Sequence, residues 1–218
     1  MFKGYNKRGF LSFKGNMLKR LFDVLLSFFG LIIISPLFLI IIILIKFDSP
    51  GPVFYNGKRV GRFGKLFKIH KFRSMVVNAE NLGGHSTAHH DSRVTRVGQF
   101  LRTYKLDELP QLVNVLYGEM SFVGPRPQVE DYVKLYKGEN KAILDILPGM
   151  TDYSTIHFIN LDKILGDKDV DRKYQEEIEP LKNKLRIKYV KDRSFWVDLK
   201  ILFQTFIAII KTIILKRK

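Results

Sequence analysis

Residues 17–48 read MLKRLFDVLLSFFGLIIISPLFLIIIILIKFD, and the way this segment meets a lipid bilayer governs everything that follows it. From Val24 to Ile45 there is no charged residue. At about 1.5 Å per residue, a straight helix of that length just crosses a hydrocarbon core of roughly 30 Å. A cleaved leader is a poor reading, because the apolar part is too long for its core and runs straight into Lys46-Phe47-Asp48 without a small-residue cleavage site. Two features favour a helix that dips into the membrane and returns. Ser35-Pro36 sits mid-run, where Pro36 removes a backbone donor and predicts a kink, and the Ser35 hydroxyl is suited to cover the freed carbonyl. Both flanks are also basic: Lys3, Lys7, Arg8, Lys14, Lys19 and Arg20 before the run, Lys46 and the Lys58–Arg73 cluster after it. A single crossing would put one of these clusters on the outer face, against the positive-inside tendency. A simple tilted span with a proline kink is the alternative.

Composition is compatible with such a membrane protein. The chain has 218 residues, enough for one domain with a real core but short for two. Lys and Arg number 37 against 21 acids, a formal charge of +16. That excess suits nucleic acid, an acidic membrane surface or a phosphorylated substrate, and the long apolar segment favours the membrane. Cysteine is absent, which excludes disulfides and thiolate metal sites.

Past the apolar run, Ser49-Pro50-Gly51-Pro52 ends the helix. Val53-Phe54-Tyr55 and Lys58-Arg59-Val60 flank Asn56-Gly57, which predicts a two-residue hairpin turn there. A short strand is expected around Phe67, Ile69 and Lys71, and residues 83–92 form a loop by composition. That loop holds His85, His89, His90 and Asp91, but its glycines and serines oppose a helix that would align metal ligands, so it reads as solvated. Arg93–Tyr104 has helical spacing. Leu109, Leu112, Val113 and Leu116 form the apolar face of a next helix, with Asp107-Glu108 at its start. Taken alone, carboxylates at a helix start complement the dipole, and Asp107 has the chemistry of an ordinary N-cap. Gly124-Pro125-Arg126-Pro127 presents Arg126 from a stiff loop, suited to a phosphate or a base edge, or else a plain surface arginine. Residues 160–180 are acidic and polar and read as solvated helix and loop. Phe195–Leu215 carries Asp198, Lys200, Gln204 and Lys211 among apolar residues. Its uncharged part, Ile201–Ile210, is too short to span, so it reads as an in-plane amphipathic helix, with a core helix as the alternative.

Seven pieces in order resemble the bacterial sugar transferase family, the monotopic phosphoglycosyl transferases. They are Lys19–Asp23, Ser35-Pro36, Ser49–Phe54, Phe67–Met75, Asp91–Gly98, Leu106–Leu112 and Met120–Pro127. The resemblance runs from about residue 17 to the C-terminus. It implies a mainly helical α+β fold: a re-entrant membrane helix kinked at Ser35-Pro36, a small β-hairpin, and interfacial amphipathic helices around a cytoplasmic-face active site. The implied division is a basic tail (1–16), the re-entrant helix (17–47) and a catalytic domain (48–218) with a C-terminal interfacial helix (194–216). Many members continue their proline-glycine turn with a Gly-Trp-Ala-Gln-Val-Asn-Gly-Arg type segment. Here Asp152-Tyr153-Ser154-Thr155-Ile156-His157-Phe158 stands instead, which leaves the sugar unassigned.

The resemblance further implies that sugar-1-phosphate passes from a UDP-sugar to undecaprenyl phosphate through a phosphosugar on Asp107, releasing UMP. It also implies a Mg²⁺ (or Mn²⁺) ion held by Glu108 and Asp107, phosphate-binding Arg73 and Arg102, and a nucleotide-facing Pro125-Arg126-Pro127 loop. The implied partners are the UDP-sugar, undecaprenyl phosphate and anionic lipids of the bacterial inner membrane, with no nucleic acid beyond the nucleotide; a homodimer is left open. Two rivals remain at this level: a membrane-anchored polybasic binding protein without catalysis, and a glycosyltransferase that moves a bare sugar and releases UDP. The latter lacks the expected nucleotide-binding βαβ repeat.

Overall fold

The apolar run folds as a single helix, α1 (Leu11–Asp48), which continues through Pro36. Pro36 cannot donate to the carbonyl of Ile32, and the Ser35 hydroxyl donates to that oxygen at 2.8 Å instead. This computed structural model describes residues 11–84, 87–88 and 90–216. The side chains of 11–16, Glu80, Leu215 and Lys216 are not described. Residues 1–10 of the basic tail, His85 and His89 of the loop, and Arg217-Lys218 lie outside the described residues.

Most of α1 exposes apolar side chains, among them Phe28, Phe29, Ile33, Leu39, Ile43 and Phe47. Few of its residues are buried, and those lie in both halves: Asp23 and Ser27 in the first, Ile41 and Ile45 in the second.

After α1 comes an antiparallel pair, β1 (Phe54–Val60) and β2 (Leu66–Phe72), in register Phe54↔Phe72 to Val60↔Leu66. The hairpin is therefore present but its turn is not at Asn56-Gly57. Those residues lie inside β1, opposite His70 and Ile69. The chain reverses instead at Gly61–Lys65, where Phe63 and Gly64 both take positive φ, 59° and 75°. A strand of seven residues matched by an equally long partner outweighs the local turn preference of Asn-Gly.

The helix α2 (Arg96–Thr103) begins at Thr95, whose hydroxyl accepts from Gly98 N at 3.0 Å. A 3₁₀ turn, Leu106–Glu108, then precedes the short α3 (Gln111–Tyr117). Asp107 is thus not the N-cap of α3, since Pro110 occupies that place. Leu109-Pro110 separates the acidic pair from the helix proper, because proline is well suited to the entry of a helix and sets a fresh start. β3 (Ser121–Val123) pairs in parallel with β4 (Gly149–Thr151), a contact that neither segment signals on its own. Between them lies α4 (Glu130–Lys134). The remainder is helical: α5 (Tyr153–His157), α6 (Leu161–Leu165), α7 (Val170–Lys173), a π turn at Tyr174–Ile178, α8 (Glu179–Asp192) and α9 (Phe195–Lys216). The protein is mainly helical, with a small two-stranded hairpin and one long apolar N-terminal helix.

Polar groups fix both halves of α1 to the same body. In the first half the Lys19 ammonium reaches Asp198 of α9 and donates to the Val123 carbonyl at 2.9 Å. Arg20 donates to the Val115 and Leu116 carbonyls at 2.6 and 2.8 Å, covering the open end of α3. Asp23 accepts from Phe122 N at 3.2 Å. At the far end Asp48 accepts from Val97 N at 3.1 Å, at the start of α2. Arg73 donates to the Ser49 and Pro50 carbonyls at 2.6 and 2.7 Å, where α1 ends. Ile41 and Ile45 pack with Phe72 and Leu101, joined by Leu106 and Leu109.

Asp198 joins three elements, since Tyr189 of α8 also donates to it at 2.7 Å. Replacing it by Ala leaves the Lys19 ammonium without its carboxylate. Asp198→Ala should lower stability by roughly 3 kcal/mol, a drop of about 6–12 °C in thermal midpoint. Thermal unfolding of the nanodisc-held protein checks this; an unchanged midpoint would mean that the clamp carries no load.

Candidate active site

Leu106 and Leu109 point into the cluster under Ile41 and Ile45, so the 3₁₀ turn between them must aim its two carboxylates the other way. Lys105 enters the turn with φ 58°, the left-handed conformation. The two acids then meet different surroundings. Glu108 is held by Lys71 of β2 at 3.0 Å and by Arg126, whose Nη1 donates to Oε2 at 3.0 Å and whose Nη2 reaches Oε1. Asp107 is 5% exposed, and among the described residues its Oδ1 has no hydrogen-bond partner.

These surroundings separate the acids electrostatically. Burial pushes the Asp107 carboxyl above its ordinary value; Lys71 opposes the shift and the neighbouring charge of Glu108 adds to it. Burial also acts to raise Glu108, but Arg126 and Lys71 outweigh it and hold Glu108 well below the usual glutamate range. Arg126 is raised further by Glu108. Burial lowers Lys71, against the attraction of Glu108.

Arg126 owes its position to backbone contact. Gly124 N donates to the Thr151 carbonyl and Gly149 N to the Pro125 carbonyl, each at 3.0 Å. A Cβ on Gly149 would stand 2.1 Å from Gly124 N, so the two loops can approach this closely only with glycine there. Asn114 ties α3 to β2 by donating to the Lys68 carbonyl at 2.7 Å and accepting from His70 N at 2.9 Å. Lys71 and Glu108 are thereby held on facing elements.

The group opens into a cavity of about 920 Å³, whose lining includes Lys71, Arg102, Asp107, Glu108, Arg126 and Pro127. Arg102 donates to the Ser74 hydroxyl at 3.1 Å and the Thr87 hydroxyl at 3.3 Å, and its charge reaches Asp107. Pro125 does not line this cavity, and neither does Arg73, whose guanidinium is taken up by the carbonyls at the end of α1. The sequence therefore brought five of its named residues together and sent Arg73 to a structural seat.

Several lining residues went unnoticed in the sequence. Lys71 sits two residues after the buried Ile69, and a lysine on the inward side of a strand was the available signal. Residues 160–180 were expected to be solvated, yet Asn160, Leu161, Leu165 and Tyr174 line the cavity. Lys182 joins them from α8. One face of α9, Leu202, Thr205, Ile209 and Thr212, forms an apolar wall. The opposite face exposes Trp196, Phe203, Phe206, Ile210 and Ile214.

The bacterial sugar transferase family profile matches residues 14–212. The exopolysaccharide production protein ExoY of Rhizobium meliloti (strain 1021) is 38% identical over 210 residues, covering 89% of this chain and 86% of that protein. The UDP-glucose:undecaprenyl-phosphate glucose-1-phosphate transferase of Escherichia coli (strain K12) is also 38% identical, over 89% of this chain and 40% of its own. The UDP-N-acetylgalactosamine-undecaprenyl-phosphate N-acetylgalactosaminephosphotransferase of Aeromonas hydrophila is 36% identical, over 88% of this chain and 44% of its own. With its acidic pair set in a basic cavity beside one long apolar helix, the chain belongs to the bacterial sugar transferase family and is a transferase.

Proposed function

We propose that the protein transfers sugar-1-phosphate from a UDP-sugar to undecaprenyl phosphate at the cytoplasmic face of the bacterial inner membrane, with Asp107 as nucleophile. One observation carries the reading. Of two adjacent carboxylates, Glu108 is tied up by two cations while the buried Asp107 keeps an oxygen with no partner among the described residues.

An Asp107 oxygen attacks the β-phosphorus of the UDP-sugar, the bond from that phosphorus to the oxygen bridging to the α-phosphorus breaks, and UMP departs. A phosphate oxygen of the carrier then attacks the same phosphorus, the bond to Asp107 breaks, and polyprenyl diphosphate sugar leaves with the carboxylate restored. Two steps at one nucleophile let two anionic substrates use the site in turn. Arg102, Lys71 and Arg126 supply the positive charge that a carboxylate needs to approach a diphosphate. Because Glu108 already engages Lys71 and Arg126, it also holds those cations at the cavity wall.

A Mg²⁺ or Mn²⁺ ion fits this donor set if the substrate completes it. Among the described residues no three His, Asp or Glu converge, and Mg²⁺ commonly takes one or two carboxylates plus phosphate oxygens and water. Asp107 Oδ1 is the open oxygen, and Glu108 would join by exchanging one of its cations. Bound there, the ion would neutralise diphosphate charge.

The membrane arrangement has its own support. Clamps on both halves of α1 engage one body, and from Lys19 to Asp48 a straight helix would run about 44 Å. A helix crossing a roughly 30 Å hydrocarbon core could not seat both ends on a body lying to one side. Re-entry with a bend at Ser35-Pro36 satisfies both seats and keeps both basic flanks on the cytoplasmic side. On this reading 17–47 is the re-entrant helix and 48–218 the catalytic domain. The segment 194–216 lies at the interface, with Trp196, Phe203 and Phe206 toward lipid. The inner wall of α9, where Leu202 and Ile209 line the cavity, would receive the polyprenyl tail.

Purified protein in nanodiscs, given Mg²⁺, undecaprenyl phosphate and a panel of UDP-sugars, should release UMP and no UDP. Asp107→Asn should lose at least ~10⁴-fold of that rate, as expected when a covalent nucleophile is removed. UDP as product, or full activity in Asp107→Asn, would sink the mechanism.

The attacking form of Asp107 is the carboxylate, and its folded-state pKa is raised by burial. The acid limb of kcat/KM for UMP release should therefore lie above the ordinary aspartate value of 3.8. Lys71 pulls that value down, so Lys71→Met should move the limb to higher pH. A limb that stays put or moves lower in this variant would contradict the assignment.

A further inference from the structure

Helix α8 turns one lysine inward. Lys182 is 7% exposed and lines the same cavity as Asp107. Among the described residues its ammonium has no hydrogen-bond or ion-pair partner. Its near neighbours are two rings, Tyr174 at 4.8 Å and Phe158 at 5.6 Å.

Of the acids within electrostatic reach, Glu179 is engaged at both oxygens and Asp152 at one. Glu179 Oε1 accepts from Arg186 at 2.7 Å, and Gln128 reaches Oε2 at 3.4 Å. Asp152 Oδ1 accepts from the Ser154 hydroxyl and from both N and Oγ1 of Thr155. Arg186 and Arg126 meanwhile add positive charge around Lys182. Burial, reinforced by these two arginines, pulls the lysine down to about 7. Ring contacts offset only part of the cost of burying an ammonium. A lysine kept only to pack its stem would turn its head to water, whereas this one turns it into the cavity that holds the nucleophile.

We propose that Lys182 is a substrate-binding residue whose ammonium receives an anionic oxygen of the nucleotide sugar, with Phe158 and Tyr174 as the walls beside it. The inference rests on the nucleotide-sugar reading above and adds to it a contact at a second lysine of the same cavity. The oxygen comes either from the nucleotide phosphate or from the sugar side, which includes the β-phosphate and any acidic substituent on the ring. Charge complementarity is the shared chemistry.

Lys182→Met keeps the apolar stem and removes an unpaired buried charge, so its thermal midpoint should equal or exceed that of the wild type. Two readouts follow on nanodisc protein: calorimetric affinity for UMP, and KM for the UDP-sugar in UMP release. Loss of a charged hydrogen bond weakens binding roughly 10- to 100-fold. A fall in UMP affinity of that size assigns the oxygen to the nucleotide. Unchanged UMP affinity with KM raised to that extent assigns it to the sugar side. Both values within about twofold of wild type would overturn the proposal. As a check that needs no variant, bound UMP or UDP-sugar should shield Lys182 of the wild type from an amine-acylating reagent, and equal labelling with and without both ligands would likewise overturn it. A wild type that binds UMP through Lys182 yet releases none from any UDP-sugar would defeat the transfer reaction while leaving this binding role standing.

Discussion

The structure depends on the attachment of one apolar helix to one polar body at both ends. Lys19, Arg20 and Asp23 fix the first half of α1 to α3, β3 and α9, while Asp48 and Arg73 fix its end to α2 and the loop after it. Each clamp matches a charged side chain to a backbone group or an opposite charge, while most apolar side chains of α1 stay exposed. The body is thereby held against α1 along its length. Since Leu106 and Leu109 pack on Ile41 and Ile45, the turn that carries Asp107 is part of the same unit as the long apolar helix. The position of α1 fixes the position of the site.

Within the cavity, neighbouring acids are made unlike by their partners. Glu108 is pinned by Lys71 and Arg126, and remains charged because two cations stand against it. Asp107, one residue away, is buried with an oxygen that has no partner among the described residues. In a low-dielectric setting a single residue of displacement changes which charges dominate, because each contact is weakly screened. The same reasoning sets Lys182 apart from the many solvated lysines of this basic chain: it is buried beside two rings, and Glu179 near it is paired with Arg186.

Much of this was legible in the residues. The long apolar run, the Ser35 hydroxyl on the carbonyl that Pro36 leaves free, the strand around Ile69 and the stiff Arg126 loop all appear where local pattern predicts them. The errors share one cause, which is that local preference yielded to a distant partner. Asn56-Gly57 reads as a turn, but β2 pairs across it and keeps it extended. Asp107 reads as a cap, but Pro110 starts α3 and leaves the acid in a turn of its own. Arg73 reads as a phosphate ligand, yet the carbonyls of Ser49 and Pro50 engage it first. Residues 160–180 look solvated, yet Leu165 and Tyr174 join Tyr132 and Phe158 in a core that the spacing of those four residues along the chain conceals.

The sequence by itself determined the chemical inventory: an apolar helix bounded by positive charge, an adjacent acidic pair, and an arginine on a rigid loop, because each depends only on residue type and near neighbours. Tertiary structure alone decided which acid is free, which arginine is structural and which lysine faces the cavity. Those outcomes depend on what stands across from each side chain, and the groups concerned, such as Lys71 and Glu108 or Lys182 and Phe158, lie far apart in the chain and meet only when it folds.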